Sequence, residues 1–314
     1  MTGRPLPPYF GKSRDTAAAA LTMLVAAAGL PDPVHADCAT GRPFAVQAPL
    51  SRPTSWLTPS VEPLAGLVNG LRICGCPPDM LPMPSDSGAR EGFWAAQAKW
   101  LAGGPVAIGP LSRSRLWDFL EDRYHAEGGG FVVMIGLEAD GTLIVHDPAG
   151  FPLRMVHRDK LAEAAEPDGR TSAVRAISAA APPAGDAAVL ELGIAVRRAA
   201  ATGGSAIRGL ADRIEAELRS SERATLGFGI SGRGRSLARI AGLLAASDLG
   251  ANLDANLGRA LDRHRRACAD ALDAVRDTDR RHLADALRDL AEHEDGLDEI
   301  LERGKSRMTG RSVA

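Results

Sequence analysis

The chain has 314 residues, of which 45% are hydrophobic and 24% are charged, and its formal net charge at pH 7 is −2. This length suffices for one large domain or two ordinary ones. The near-neutral charge gives no reason to expect nucleic-acid binding through bulk electrostatics. Aromatic residues amount to only 4%, so we expect a core built mainly from Ala, Leu, Val and Ile.

The first predicted element is an Ala/Leu-rich helix over residues 16–28, with Asp15 near its first turn, where a carboxylate complements the exposed N–H groups. Lys12 and Arg14 before the apolar run also outline a signal peptide. Asp15 at the mouth of the run and the prolines after it favour the helix instead. No apolar run approaches membrane-spanning length, so we expect a cytoplasmic protein without membrane contact.

Helix and strand signals mix over the first 180 residues. After the irregular stretch 43–63 the pattern predicts, in chain order, helices over 64–73 and 88–101, a strand over 106–108 and a helix or helix-loop over 113–125. A hairpin, a strand over 153–156, a helix over 160–165 and a strand over 173–177 follow. A helix followed by a small, mostly antiparallel sheet is α+β order. We therefore predict an α+β domain over residues 1–180.

The hairpin is the clearest local signal. Two apolar runs, Phe131–Leu137 and Thr142–Val145, flank an Ala-Asp-Gly turn at residues 139–141. The second strand leads directly to His146 and Asp147, which stand before a Pro-Ala-Gly turn. The sequence therefore predicts a turn that presents polar side chains at the end of a strand.

The stretch 179–186 is rich in Ala, Pro and Gly and is predicted to be a linker. Beyond it, residues 187–314 are almost entirely helical in pattern. The expected helices cover residues 187–201, 207–219, 236–247, 249–276 and 278–303. Short breaks between long helices favour an antiparallel bundle, so we predict a second, all-α domain.

Four cysteines, Cys38, Cys74, Cys76 and Cys268, are too few and too unevenly spaced for a disulfide framework in a chain of this size. Cys74 and Cys76 have no second pair at a spacing typical of zinc sites. We therefore predict no metal site and no cofactor, and reduced thiols in the cytosol.

Four segments resemble the papain-like peptidase C39-like and butirosin biosynthesis protein H-like families, over about the first 180 residues. Residues 15–24 (DTAAAALTML) resemble the opening helix of these families, which usually begins with the catalytic cysteine. Residues 103–111 (GGPVAIGPL) and 130–136 (GFVVMIG) resemble the strand before the catalytic histidine and the strand that carries it. Residues 145–150 (VHDPAG) resemble the turn that bears the catalytic acid. The resemblance implies a papain-like fold, and a helical C-terminal domain also accompanies the butirosin type.

The resemblance places the catalytic cysteine at Thr16, the catalytic histidine at Gly130 and the acid at Asp147. A Cys–His pair works because the imidazole activates a sulfur that is already a good nucleophile, whereas threonine is far less acidic and Gly130 offers no base. His125 and His146 are the candidates to replace the missing base, although strand alternation predicts that His146 faces away from Asp147. In the alternative interpretation Thr16 only caps the helix and Asp147 only caps the turn.

Residues 227–232 spell GFGISG, a literal GxGxxG motif ahead of a predicted helix. Such glycines let a phosphate approach a helix N-terminus, but no buried strand precedes the motif and no βαβ unit follows it. We therefore predict a glycine-rich loop between two helices rather than a dinucleotide site. Arg233 and Arg235 on that loop could contact a phosphate of a carrier's phosphopantetheine or of a nucleotide. Together with Asp15 and Gly130 they are the predicted substrate-binding residues.

The function that the resemblance implies is acyl or aminoacyl transfer in natural-product, including antibiotic, biosynthesis. The donor would be an acyl or peptidyl carrier protein, or an aminoacyl-tRNA, and the acceptor would be a small amine. The site would be the cleft between the two domains. A homodimer is one option for assembly. Without a nucleophile, transfer would be direct, with His125 or Asp147 taking the proton. The rival hypotheses are a catalytically inactive papain-like protein that binds a peptide, carrier or partner, and an enzyme that uses the scaffold for different chemistry.

Overall fold

The computed structural model describes residues 9–10, 15–28, 36–48, 57–117, 129–165, 169–177, 184–200, 203–246, 255–277 and 279–310. Its helices are α1 (Thr16–Ala27), α2 (Ala36–Ala39), α3 (Pro63–Ile73), α4 (Ser87–Leu101), α5 (Arg113–Leu116), α6 (Arg158–Glu163), α7 (Asp186–Ala200), α8 (Gly203–Ala216), α9 (Ser220–Ala246), α10 (Ala255–Arg276), α11 (Arg280–Asp295) and α12 (Leu297–Gly310), with a 3-10 turn at Arg42–Phe44. Its strands are β1 (Val46–Gln47), β2 (Thr58–Pro59), β3 (Pro78–Pro82), β4 (Val106–Leu111), β5 (Gly130–Leu137), β6 (Thr142–Asp147), β7 (Phe151–His157) and β8 (Ser172–Ala176).

The chain forms two compact units. Unit 1 comprises Met1–Thr40 and Glu62–Ala184, and unit 2 comprises Gly41–Val61 and Gly185–Ala314. The chain passes from unit 1 to unit 2 for the last time between residues 184 and 185, which lie within the predicted linker. Unit 2 also includes the segment 41–61, which the sequence assigned to the first domain as an irregular stretch.

Unit 1 contains a sheet with strand order β3-β8-β4-β5-β6-β7, and every neighbouring pair is antiparallel. The predicted α+β class is therefore confirmed. The predicted hairpin is β5 and β6, joined by a turn in which Gly141 has φ +88°. A side chain other than glycine is strained at that φ, which explains the glycine in the turn.

Successive residues of a strand point to opposite faces of the sheet, and in β5 both sets of side chains are packed against helices. Phe131 and Val133 pack with α1 and α3 on one face. Val132 and Met134 pack with Phe93 of α4 and its neighbours on the other. The strand β5 is consequently buried on both sides, as its nearly continuous apolar run predicts.

Unit 2 is largely helical, but its helices differ from the predicted ones. The predicted loop at 227–232 is wrong, because α9 runs unbroken from Ser220 to Ala246. The single helix predicted over 278–303 is also wrong, because α11 ends at Asp295 and α12 begins at Leu297. The predicted helix start at Leu249 lies outside the described residues.

The glycines of α9 permit close packing. A Cβ built on Gly229 would lie 2.7 Å from the carbonyl oxygen and 2.8 Å from the backbone nitrogen of Leu57. Only glycine therefore lets α9 approach the backbone at the end of the inserted segment so closely. The motif that resembled a phosphate loop is a helix contact.

Candidate functional site

The site begins at the N-terminus of α1. Asp15 is the N-cap, and its Oδ1 accepts hydrogen bonds from the backbone N–H groups of Ala17 (3.1 Å) and Ala18 (3.3 Å). Thr16 follows as the first helical residue, and it is buried. Its Oγ1 accepts a hydrogen bond from the backbone N–H of Phe131 at 3.0 Å. The threonine hydroxyl therefore links the helix start to the first residues of β5.

Gly130 lies beside this hydroxyl. A Cβ built on Gly130 would lie 3.6 Å from Thr16 Oγ1, but only 2.6 Å from Cδ and 2.9 Å from Cγ of Arg113. Contacts under 3.0 Å are essentially never seen for real Cβ atoms. The Arg113 side chain thus fills the space that a side chain at position 130 would occupy.

Asp147, at the end of β6, is fully buried and is held by three donors. Its Oδ2 accepts hydrogen bonds from Arg113 Nη2 at 2.9 Å and from Trp117 Nε1 at 2.6 Å. Its Oδ1 accepts one from the backbone N–H of Ala149 at 2.9 Å, which closes the turn. Asp147 is therefore both the turn cap and the partner of the Arg113 cation.

These contacts bring together the positions that the resemblance assigns to nucleophile, base and acid. Thr16 and Gly130 are neighbours, and Arg113 joins Gly130 to Asp147. A guanidinium is always protonated and only donates hydrogen bonds, so Arg113 cannot act as a general base. The side chain that lies beside Gly130 and pairs with Asp147 is consequently a cation and not a base.

His146 belongs to a different environment. It is the cross-strand partner of Val133, on the face that packs against α1. Its ring lies 5.2 Å from the ring of Tyr9, and its Nδ1 accepts a hydrogen bond from the backbone N–H of Leu153 at 3.2 Å. Leu153 has φ +51°, unusual for a bulky residue, so His146 helps to hold a strained backbone conformation within β7. The other candidate base, His125, lies outside the described residues.

The phosphate contacts predicted for the C-terminal unit need correction. Arg233 is buried inside unit 2, where its Nε and Nη2 bind Glu294 at 2.9 Å and 2.7 Å. Arg235 donates from Nη1 to Ser231 Oγ within the same helix at 2.7 Å. Neither residue lies on a loop, because the glycines before them are helical.

Sequence reasoning missed a buried ionic group in unit 2, which we call the Glu294 cluster: Glu294, Arg197, Arg233 and His264. Arg197 Nη1 and Arg233 Nη2 lie 2.6 Å and 2.7 Å from Oε1 of Glu294, while His264 Nε2 lies 3.2 Å from Oε2. Burial alone would raise the pKa of Glu294, but Arg233, His264 and Arg197 outweigh burial and hold the pKa well below its usual range. Burial lowers the pKa of His264, an effect that Glu294 partly offsets.

The cluster also anchors the inserted segment of unit 2. Arg197 Nη1 donates to the carbonyl oxygen of Phe44 at 3.0 Å, and Arg233 Nη1 donates to that of Pro43. A sequence signal for it exists, since position 294 interrupts the leucine stripe at 283, 287, 290, 297 and 301 with a glutamate. A buried carboxylate in such a stripe requires cationic partners.

The described cysteines are buried, and burial raises the pKa of Cys74, Cys76 and Cys268. Burial, and then the neighbouring Cys76, raise the pKa of Cys74 to about 11, and burial raises that of Cys268 to about 12. Within the described part of the chain, no three His, Cys, Asp or Glu side chains are grouped so that they could hold a metal ion. No described helix is both long and apolar enough to cross a lipid bilayer.

Comparison of the chain with models of known protein families and with curated protein sequences finds no match. The functional conclusion therefore depends on the residues themselves. It is drawn from the contacts of Thr16, Gly130, Arg113 and Asp147 in unit 1.

Proposed function

We propose that unit 1 is a papain-like domain that binds an acyl- or peptidyl-carrier protein without forming a covalent intermediate. The observation that carries this proposal is the Arg113–Asp147 ion pair, which measures 2.9 Å and fills the space beside Gly130. A cation in that place leaves the position of the nucleophile without a base.

Support for the papain-like layout comes from residues far apart in sequence. The resemblance picks out a helix start, a strand start and a strand end as the catalytic positions. Thr16 contacts Phe131 across 115 residues of sequence, and Arg113 contacts Asp147 across 34. A shared catalytic crevice requires residues that are distant in sequence to lie close together. The motifs themselves do not bring these residues together, because each motif describes only neighbouring positions.

Support for binding without covalent chemistry comes from the hydrogen bonds. A threonine hydroxyl becomes a nucleophile only when an adjacent base removes its proton. The described partner of Thr16 Oγ1 is an N–H donor, and Asp147 is occupied by Arg113, Trp117 and Ala149. The covalent acyl transfer that the resemblance implies would need a different arrangement of these groups.

The choice of a carrier protein as ligand depends on the resemblance, since related families act on carrier-bound acyl groups. Proteins that bind nucleic acids usually attract the phosphate backbone with an excess of positive charge. The formal net charge of this chain is −2, which does not favour an aminoacyl-tRNA as the ligand. We therefore choose a loaded carrier protein as the probe.

The test uses the full chain, an acyl carrier protein loaded with an acetyl group, and a small amine. Calorimetry measures binding, and intact-mass spectrometry detects an acetyl adduct or an amide product. We expect saturable binding, an unchanged mass and no product. Thr16→Val keeps the shape of threonine but loses the acceptor of the Phe131 N–H, so we expect this variant to be less stable and still to bind the carrier. An adduct or product that Thr16→Val abolishes would identify an acyltransferase and overturn the proposal. Absence of binding would overturn the carrier as ligand.

A further inference from the structure

One face of α10 carries a charge pattern that reverses at its midpoint. Three arginines and then three aspartates follow one another at spacings of 4, 3, 4, 3 and 4 residues: Arg259, Arg263, Arg266, Asp270, Asp273 and Asp277. The first five lie in α10, and Asp277 directly follows its last residue, Arg276. At 3.6 residues per turn these positions fall within an arc of roughly 80°. All six are exposed. We call this set the α10 stripe.

The opposite face of α10 is the one that packs into unit 2. Its buried residues are Leu261, His264, Cys268, Ala271 and Val275. Their spacing of three and four residues places them on one side of the helix, away from the α10 stripe. The stripe therefore belongs to the solvent-facing side of α10.

The order of charges in the stripe does not stabilise the helix. The C-terminal end of a helix disfavours carboxylates and the N-terminal end disfavours cations, yet the aspartates lie in the second half. Among the described residues, none forms an ion pair with Arg263, Arg266 or Asp270. At the aspartate end, Asp273 has an exposed pair with Arg276 at 2.9 Å, and Asp277 has one with His282 at 3.2 Å. The central charges of the stripe are thus directed to solvent.

We propose that the α10 stripe is a surface on which two copies of this chain recognise each other, with the two α10 helices antiparallel. A two-fold axis near position 268 would set Arg266 opposite Asp270 of the second copy, and the outer arginines opposite the outer aspartates. Every pair occurs twice, as a two-fold interface requires. This proposal does not depend on the function proposed for unit 1.

Charge complementarity singles out a second copy as the occupant. A uniformly anionic partner, such as a nucleic acid or an acidic membrane, would attract the arginine half and repel the aspartate half. A parallel pairing of two copies would set like charges together. Only the antiparallel arrangement of two copies matches the whole stripe.

An interface made of exposed ion pairs is weak and is screened by salt, since the Debye length falls from about 30 Å at 0.01 M to about 3 Å at 1 M. The first test is therefore sedimentation velocity of the full chain at roughly 0.02 M and roughly 0.5 M salt. We expect the weight-average mass to rise with concentration from 32.8 kDa towards twice that value at low salt. At high salt we expect the monomer. A chain that stays monomeric at low salt up to its solubility limit would overturn the proposal.

A charge-swap experiment then tests the stripe itself. One variant carries Arg259→Asp, Arg263→Asp and Arg266→Asp, and the other carries Asp270→Arg, Asp273→Arg and Asp277→Arg. Each stripe then has one sign and repels itself, so each variant alone should be monomeric, while an equimolar mixture should associate. Circular dichroism checks that each variant keeps its helices.

The matched control is Arg265→Asp, which changes an exposed arginine of α10 outside the stripe and should leave the wild-type association unchanged. Self-association of either swapped variant would contradict the proposal. Two monomeric variants whose mixture does not associate would contradict it as well.

Discussion

Replacing Glu294 by glutamine should be among the most damaging single changes in unit 2. The two carboxylate oxygens take three hydrogen bonds from Arg197 and Arg233, at 2.6, 2.7 and 2.9 Å, and no side chain of the three is more than slightly exposed. Glutamine keeps the shape but loses the charge, and its amide N–H groups face guanidinium donors. Two buried cations would then lack their shared counter-ion.

The expected cost follows from that geometry. Breaking a buried ion pair by removing one partner costs about 3–5 kcal/mol, because the remaining charge stays buried and uncompensated. The matched control is Glu299→Gln on α12, whose carboxylate is largely exposed and pairs with Arg303. An exposed pair contributes less than about 1 kcal/mol, so the two variants should differ clearly.

The assay is urea unfolding followed by far-UV circular dichroism, with hydrogen exchange assigning the transition to peptides of α7 and α11. We expect Glu294→Gln to lower the free energy of unfolding of unit 2 by several kcal/mol and to speed exchange around Phe44, whose carbonyl Arg197 holds. A loss no larger than that of Glu299→Gln would refute the view that the cluster holds unit 2 together.

Three further predictions concern single side chains. The folded-state pKa of His264 lies below its ordinary value of 6.5, because burial disfavours the charged imidazole. The unfolded chain therefore takes up a proton first, so unit 2 should lose stability as the pH falls below 6.5. Urea titrations at several pH values should show a flatter slope for His264→Gln. Gly232→Ala should stabilise α9 by about 0.5–1 kcal/mol, because alanine favours the helix and a Cβ there meets nothing closer than 3.7 Å. Thermal unfolding measures this gain, and a loss of stability would indicate that residue 232 lies in a loop. Gly130→Ala should cost about 1–3 kcal/mol by displacing Arg113, and a double-mutant cycle with Arg113→Ala should show strong non-additivity; additive losses would mean that the two sites do not touch.

The elements that the sequence predicted well are those with local signals. The β5–β6 hairpin has apolar runs on each side of a turn that ends in glycine, so neighbouring residues suffice to define it. The strand β3 has no such signal, since it begins with Pro78, ends with Pro82 and is half-exposed along its length. Its pairing with β8, which lies far along the chain, makes it a strand.

In unit 2, glycines and arginines occupy places that neighbouring residues in the sequence do not specify. A glycine permits both a turn and a close contact between backbones, and the sequence around Gly229 does not say which. The contact with Leu57 decides for a helix, and it depends on the segment 41–61 joining unit 2. In the sequence alone, Arg233 resembles an exposed arginine, because its partner Glu294 lies 61 residues away.

Three residues of the candidate site stay predictions from the sequence. Thr16, Gly130 and Asp147 follow from the order of motifs along the chain, and their convergence is a property of the fold. Nothing local marks Arg113, because its role arises from space that Gly130 leaves open and from a carboxylate 34 residues away. A side chain such as Arg113, which fills the space beside a glycine, is hard to find in one sequence, because that space is defined only by the folded structure.

The most direct test of the proposed papain-like layout is to introduce a cysteine and a histidine at positions 16 and 130 and to measure the reactivity of the thiol. Two variants share Thr16→Cys and Arg113→Ala, and only one of them also carries Gly130→His; the buried native cysteines give a low background. If position 130 faces position 16 in a papain-like crevice, the imidazole should lower the pKa of the introduced thiol by a unit or more, about the range seen for paired cysteines, in the pH profile of alkylation by iodoacetamide. Coincident profiles for the two variants would show that the crevice does not have this layout.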